Sequence, residues 1–125
     1  MLAKYQWIEH AALKLKGAEI VYKPEWRAFQ FLIADKMFAY AGKNNHNQDI
    51  ITLKGDPANN RLMIEMYDNI TEGYYANKIH WISIILNTPN PLDQAMVIDL
   101  LKQSYNLVFA KLTKKSQQQI INSIK

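Results

Sequence analysis

Apolar positions keep a helical rhythm at the start of the chain, alternate through its middle, and become helical again toward the end. Over residues 3–16, Tyr5, Ile8, Ala12 and Leu15 recur at spacings of three and four. That predicts a helix, closed by Gly17 where a left-handed cap belongs. Residues 18–22 predict a short strand ahead of Lys23-Pro24. Phe29, Phe31 and Ile33 alternate with Gln30 and Leu32, the pattern of a strand with an aromatic inner face. Ala34-Asp35 makes a tight connection to a strand over residues 36–41, built on Met37, Phe38 and Tyr40. Residues 42–48 read as a polar loop and residues 49–54 as the next strand, which completes an antiparallel meander.

Beyond residue 55 the rhythm is helical again. Asp56 is an N-cap and Pro57 suits the first helical position, with Leu62, Met63, Met66 and Tyr67 as the expected apolar stripe. Residues 68–78 read as a loop. Residues 81–86 are apolar on both faces, which places them well inside the sheet. Asn90, Pro91 and Asp93 open the longest helix, to about Ala110, with Val97, Leu101, Tyr105, Val108 and Leu112 facing inward. Thr113 caps a last short helix carrying Ile120, Ile121 and Ile124. The fold class is α+β: an antiparallel sheet of about three to five strands packed against N-terminal and C-terminal helices. Residues 1–125 form one domain, its last ten or so residues a short helix or a loose tail.

Composition narrows the functional classes. The 125 residues are 49% hydrophobic and 21% charged, which fits a folded domain and excludes wholesale disorder. A chain of this length buries roughly two thirds of its extended-chain surface, so it folds without staples. Cysteine is absent, which removes disulfides, thiolate zinc sites and cysteine nucleophiles together. No apolar run reaches the roughly 18 residues of a membrane span, and the first residues lack the pattern of a secretory signal. A cytoplasmic, monomeric protein without a membrane partner is the expectation. The net charge of +4 is unevenly placed. Residues 1–99 hold ten basic and eleven acidic side chains, whereas residues 100–125 hold Lys102, Lys111, Lys114, Lys115 and Lys125 and no acid. That asymmetry favours an anionic partner at the C-terminal end, against the plainer reading of a solvated helix face.

Catalytic constellations are missing. His10 and His46 read as surface residues, and His80 stands between Lys78 and Trp81. There is no glycine-rich phosphate loop, no metalloprotease helix and no nucleophile elbow, and the acids are scattered singly. A non-catalytic protein without cofactor or metal is therefore expected. The densest stretch of chemistry is Gly73-Tyr74-Tyr75-Ala76-Asn77-Lys78-Ile79-His80-Trp81. If extended, it turns Lys78 and His80 to one face and Asn77 and Trp81 to the other. One reading is a binding surface, with Lys78 and His80 for an anion and the Tyr74 ring for stacking. The other is a loop pinned to the domain by Asn77 and His80 with Trp81 buried, and the residue types favour this second reading.

The run Gly73-Tyr74, Asn77-Lys78, His80-Trp81 resembles the GYHMNKxHW signature of the MmcQ/YjbR family. Asp35-Lys36-Met37-Phe38-Ala39 resembles that family's GGKMFA strand, and Leu53-Lys54-Gly55-Asp56-Pro57 its LKCDP junction. Ser104-Tyr105-Asn106-Leu107-Val108 with the Lys111–Lys115 run is similar to its SYELV and KLPKK ending. The likeness spans about residues 5–115 in order and spacing. Five positions depart from the family pattern. Asn69 stands for a glycine, as the residue that best tolerates a left-handed backbone, and Asp68 and Glu72 stand for prolines. Tyr75 replaces a histidine and Gly55 a cysteine, so two potential ligands or nucleophiles are lost.

The resemblance implies a CyaY-like (frataxin-related) fold, also called a double wing, and with it DNA binding. Iron handling is disfavoured, because the first helix sets Glu9 and the nearby Glu19 against Lys4, Lys14 and Lys16. The expected function is weak, non-specific DNA binding through Lys111, Lys114 and Lys115 and through Tyr74, Asn77, Lys78 and His80, with Gly73 and Trp81 structural. The alternative is a small anionic ligand or a protein partner docking on the Tyr74–Trp81 loop.

Overall fold

The computed structural model describes residues 2–74 and 76–123. A 3-10 turn (Leu2–Tyr5) leads into α1 (Gln6–Leu13), shorter than the expected helix, and Gly17 follows with φ +76. It is this left-handed backbone that calls for glycine, since an added Cβ would make only ordinary contact with the Ile120 side chain. Then come β1 (Ala18–Lys23), β2 (Ala28–Ile33), β3 (Lys36–Lys43) and β4 (Asp49–Lys54), the antiparallel meander the alternation predicts. The polar loop is shorter than expected, because Gly42 and Lys43 stay in β3. Ala34 and Asp35 both take positive φ, +47 and +64, as a two-residue primed hairpin demands.

The rest of the chain adds α2 (Pro57–Met66), β5 (Ile70–Glu72), β6 (Trp81–Ile85), α3 (Gln94–Ala110) and α4 (Lys114–Ile121). The sheet has six strands in the order β1-β2-β3-β4-β6-β5, and all its pairings are antiparallel. The sixth strand, β5, lies inside the stretch expected to be loop. Its three residues carry too little alternation to be seen in sequence, and it forms because Ile70 and Glu72 pair with Ile84 and Ile82.

One face of the sheet carries the main core. Phe31, Ile33, Phe38, Ala39, Ile51, Leu53, Ile82 and Ile84 pack there against Ile8 and Ala12 of α1 and Val97, Leu101, Tyr105 and Val108 of α3. Phe31 pairs with Ala39 and Leu32 with Met37, so Phe38 is an extra residue in β3. This bulge lets the consecutive Phe38 and Ala39 both enter the core. In α3 the expected Val97, Leu101, Tyr105 and Val108 are buried, joined by Leu100 and Ser104, whereas Leu112 lies past the helix end and is only partly buried. In α2 the stripe is displaced: Met63, Ile64 and Tyr67 reach the core, whereas Leu62 and Met66 stand exposed. The buried Asn60 decides that rotation, because its amide donates to the carbonyls of Gly55 (3.1 Å) and Ile79 (3.2 Å).

The starts of α2 and α4 follow their residue chemistry, whereas α3 begins only at Gln94, past Asn90 and Pro91 and without a side-chain cap from Asp93. The Asp56 carboxylate accepts from the Asn59 N–H, and the Thr113 hydroxyl accepts from the Ser116 N–H. Gln117 turns its amide back to the carbonyls of Phe109 and Leu112, and so caps α3 from α4. Ile121 is exposed, and Ile124, expected on the same helix, lies outside the described residues. Asn69 has no left-handed backbone. Among the described residues the non-glycine positions with positive φ are Arg27, Ala34, Asp35 and Asn47. Asn69 instead donates its amide to the Asn90 carbonyl at 2.7 Å, tying the start of β5 to the approach of α3.

Candidate functional site

The antiparallel order sends the turn at residues 24–27 and the β3–β4 turn to one end of the sheet. The end of β4, the start of β6 and the 73–80 loop lie at or fold back from the other. The loop begins where the Gly73 N–H donates to the Trp81 carbonyl at 2.9 Å. A Cβ on Gly73 would fall 2.6 Å from the Trp81 Cβ and 2.9 Å from its carbonyl oxygen. Only glycine permits that approach. The chain then crosses the sheet face opposite the helices, where the Tyr74 N–H donates to the Ser83 hydroxyl (2.9 Å). Ser83 also shares a buried 2.6 Å hydrogen bond with Thr52. The Tyr74 ring packs there on a small second cluster of Ala28, Tyr40 and Ile50.

Residues 77–80 form a turn and not an extended segment. The Asn77 Oδ1 accepts from the N–H groups of Ile79 (2.9 Å) and His80 (3.2 Å), and the Trp81 N–H returns to the Asn77 carbonyl. The expected split of Lys78 and His80 to one face, with Asn77 and Trp81 on the other, therefore does not occur. Asn's short amide competes with the strand by satisfying two local N–H groups. Asn77 is thus a scaffold residue. His80 anchors the loop through its backbone, its carbonyl accepting from the Gly55 N–H, while its side chain is exposed. Lys78 is exposed and makes one long contact, 3.5 Å, to the Gly73 carbonyl. Trp81 is half-buried, short of the burial its apolar strand implies, because it stands at the strand's first position. Tyr75 lies outside the described residues.

Lys111, Lys114 and Lys115 are exposed where α3 gives way to α4. They gain a neighbour that the sequence did not single out. Lys54, the last residue of β4, pairs with Trp81 and gives its N–H to the Ser104 hydroxyl at 2.8 Å. Burial lowers the pKa of its ammonium, and the ammonium of Lys111 beside it lowers it further. Two cations are thus brought together across a sequence separation that no local pattern could reveal.

The other end of the sheet holds two adjoining hollows that share Trp26 and Lys43. The first, about 440 Å³, is lined by Glu25, Ala28, Met37, Tyr40 and Gly42 as well. The second and more open, about 810 Å³, adds Tyr22, Arg27, Asn45, Asn47 and Tyr74. Of the expected loop residues only Tyr74 reaches this region. The sequence did not single out Trp26 or Arg27; their adjacency after Pro24 is the only local signal, and the hairpin geometry is what sets them at the border of a cleft.

A buried carboxylate braces the same end. Asp49 is 1% exposed and accepts from Tyr5 Oη and Lys43 Nζ, each at 2.6 Å. Burial pushes its pKa up, but the hydrogen bonds from Lys43 and Tyr5 and the charges of Lys43 and Lys4 outweigh it and hold the carboxyl below its usual range. The Tyr5 hydroxyl is pushed well above the phenol range by burial and by Asp49. Among the described residues no group of three or more His, Asp or Glu side chains could hold a metal ion, and no helix is long and apolar enough to cross a membrane.

A six-stranded antiparallel sheet, with helices on one face and a glycine-anchored loop folded onto the other, defines the structural class. The chain belongs to the YjbR family, whose model matches residues 13–107. An Escherichia coli O157:H7 relative, "Uncharacterized protein YbdF", is 30% identical over 118 residues, 93% of each chain. The crystal structure of a Deinococcus radiodurans protein superposes with a TM-score of 0.79 at 22% identity, covering 97% of this chain and 91% of the other. That of a Pseudomonas syringae protein gives 0.65 at 25% identity, covering 83% of this chain and 97% of the other.

Proposed function

We propose that the chain is a non-catalytic protein that binds nucleic acid through its phosphates, weakly and without sequence preference. The binding surface is the end of the sheet where β4 meets the C-terminal helices. The observation that carries this reading is the cluster of exposed Lys111, Lys114 and Lys115 where α3 gives way to α4, with Lys54 at the end of β4 as its neighbour. Two cations repel unless an anion lies between them, and a phosphate is the anion that would relieve the repulsion. Lys114 and Lys115 open the next helix just beyond the break, and residues 100–125 carry no acid to oppose them. Lys78 stands exposed in the turn that leads into Trp81, the strand partner of Lys54.

Four phosphate contacts at this surface give a salt slope of about −3.6, characteristic of modest, sequence-independent affinity. Fluorescence anisotropy with a labelled random duplex tests it at low and moderate salt. The expected result is binding that weakens along that slope and is lost when Lys111, Lys114 and Lys115 are together changed to Gln. An absence of binding at tens of micromolar protein in low salt refutes the proposal. So does binding that ignores the triple substitution.

A further inference from the structure

The cleft at the opposite end of the sheet has the makings of a separate site. Trp26 is 60% exposed, unusual for so large an apolar ring. It is not loosely held: its N–H donates to the Lys23 carbonyl and the Arg27 N–H to the Pro24 carbonyl, so the turn presents the ring on a fixed backbone. Arg27 sits at φ +50, a conformation few non-glycine residues take. The two cations at the cleft differ in availability. Lys43 is committed to Asp49 at 2.6 Å, whereas Arg27 has no ion-pair partner among the described residues. Glu25 lines the smaller hollow and Arg27 the more open one, with Trp26 bordering both. A ligand that satisfies all three has a flat ring, a donor edge on one side and an anionic group on the other.

We propose that this cleft binds a nucleotide unit, with the base against Trp26, its amino edge toward Glu25 and its phosphate at Arg27. The carboxylate of Glu25 repels the phosphate from the smaller hollow and so sets the polarity of binding. The unit comes either from a free nucleotide or from a single strand, and both are tested. Amide-detected NMR follows titration of the full chain with AMP, with adenosine and with single-stranded hexaadenylate, to millimolar concentration.

The expected result is that AMP moves the Trp26 indole N–H and the Arg27 and Asn45 amides. Trp26→Ala should weaken binding about tenfold, within the range for one lost stacking contact. Arg27→Gln should weaken AMP while leaving adenosine unchanged, a split that a merely structural effect would not produce. If hexaadenylate moves these signals and AMP does not, the site takes its nucleotide from a strand. The proposal is overturned if neither ligand moves them, or if the shifts gather instead at Lys54 and Lys111. Because the duplex assay reads the other end of the sheet, the two proposals fail separately.

Discussion

Ser104 joins α3 to two strands at once, and removing its hydroxyl shows what that joint contributes. Its side chain is 0% exposed, donates to the Phe38 carbonyl of β3 and accepts from the Lys54 N–H of β4. Ser104→Ala orphans both backbone groups. An unpaired buried donor or acceptor costs about 1–3 kcal/mol. Lys54 is only half-buried, so water can partly replace that bond, and the cost there falls at the low end. Alanine's better helix propensity returns about 0.5 kcal/mol. The net loss is about 2–3 kcal/mol. Urea denaturation should show the midpoint lowered by about 1–2 M with an unchanged slope, and amide exchange should show Lys54 losing protection. A loss below about 1 kcal/mol with Lys54 still protected would refute the reasoning, because the strands would then hold without the helix.

Three further outcomes follow from the loop and the buried carboxylate. Gly73→Ala should lose about 1–3 kcal/mol of stability in the same denaturation, since its Cβ would overlap the Trp81 backbone at 2.9 Å and force the β5–β6 end apart. Asn77→Ala should cost about 1 kcal/mol through two lost turn hydrogen bonds, whereas Lys78→Ala should stay within about 0.5 kcal/mol as an exposed change. Equal losses for Asn77→Ala and Lys78→Ala would contradict the division of the loop into scaffold and surface. Asp49 has a folded pKa held below its unfolded value of about 3.9, so its contribution is complete above that value and lost as pH falls through the folded pKa. Acid unfolding of the wild type should therefore be steeper below about pH 4 than that of Asp49→Asn, as followed by circular dichroism.

Much of the architecture could be read from local pattern, because each element carries its own signal. The alternation of Phe29, Phe31 and Ile33 marks β2, and the Asp56-Pro57 and Thr113 caps mark the starts of α2 and α4. The spacing of Val97, Leu101, Tyr105 and Val108 marks the buried face of α3. Family membership was also legible, since ordered motifs with fixed spacing are a property of the chain alone. What escaped were features that depend on contacts between distant residues. β5 is too short to announce itself and exists because β6 pairs with it. The buried face of α2 turned on Asn60 reaching two carbonyls outside its helix. Asn77 chose a turn over a strand once its carbonyl had the Trp81 N–H to hold. The site divides in the same way. Sequence supplied Lys111, Lys114, Lys115 and Tyr74 by residue type, but the packing of α3 on β4 set Lys54 beside Lys111, and the strand order brought Trp26, Arg27 and Tyr74 to one cleft at the far end. Periodicity and capping act within a few residues, so the sequence determined the elements. Adjacency of charges and rings arises only when strands pair and helices pack on them, so the tertiary structure decided which charged and aromatic side chains share a surface.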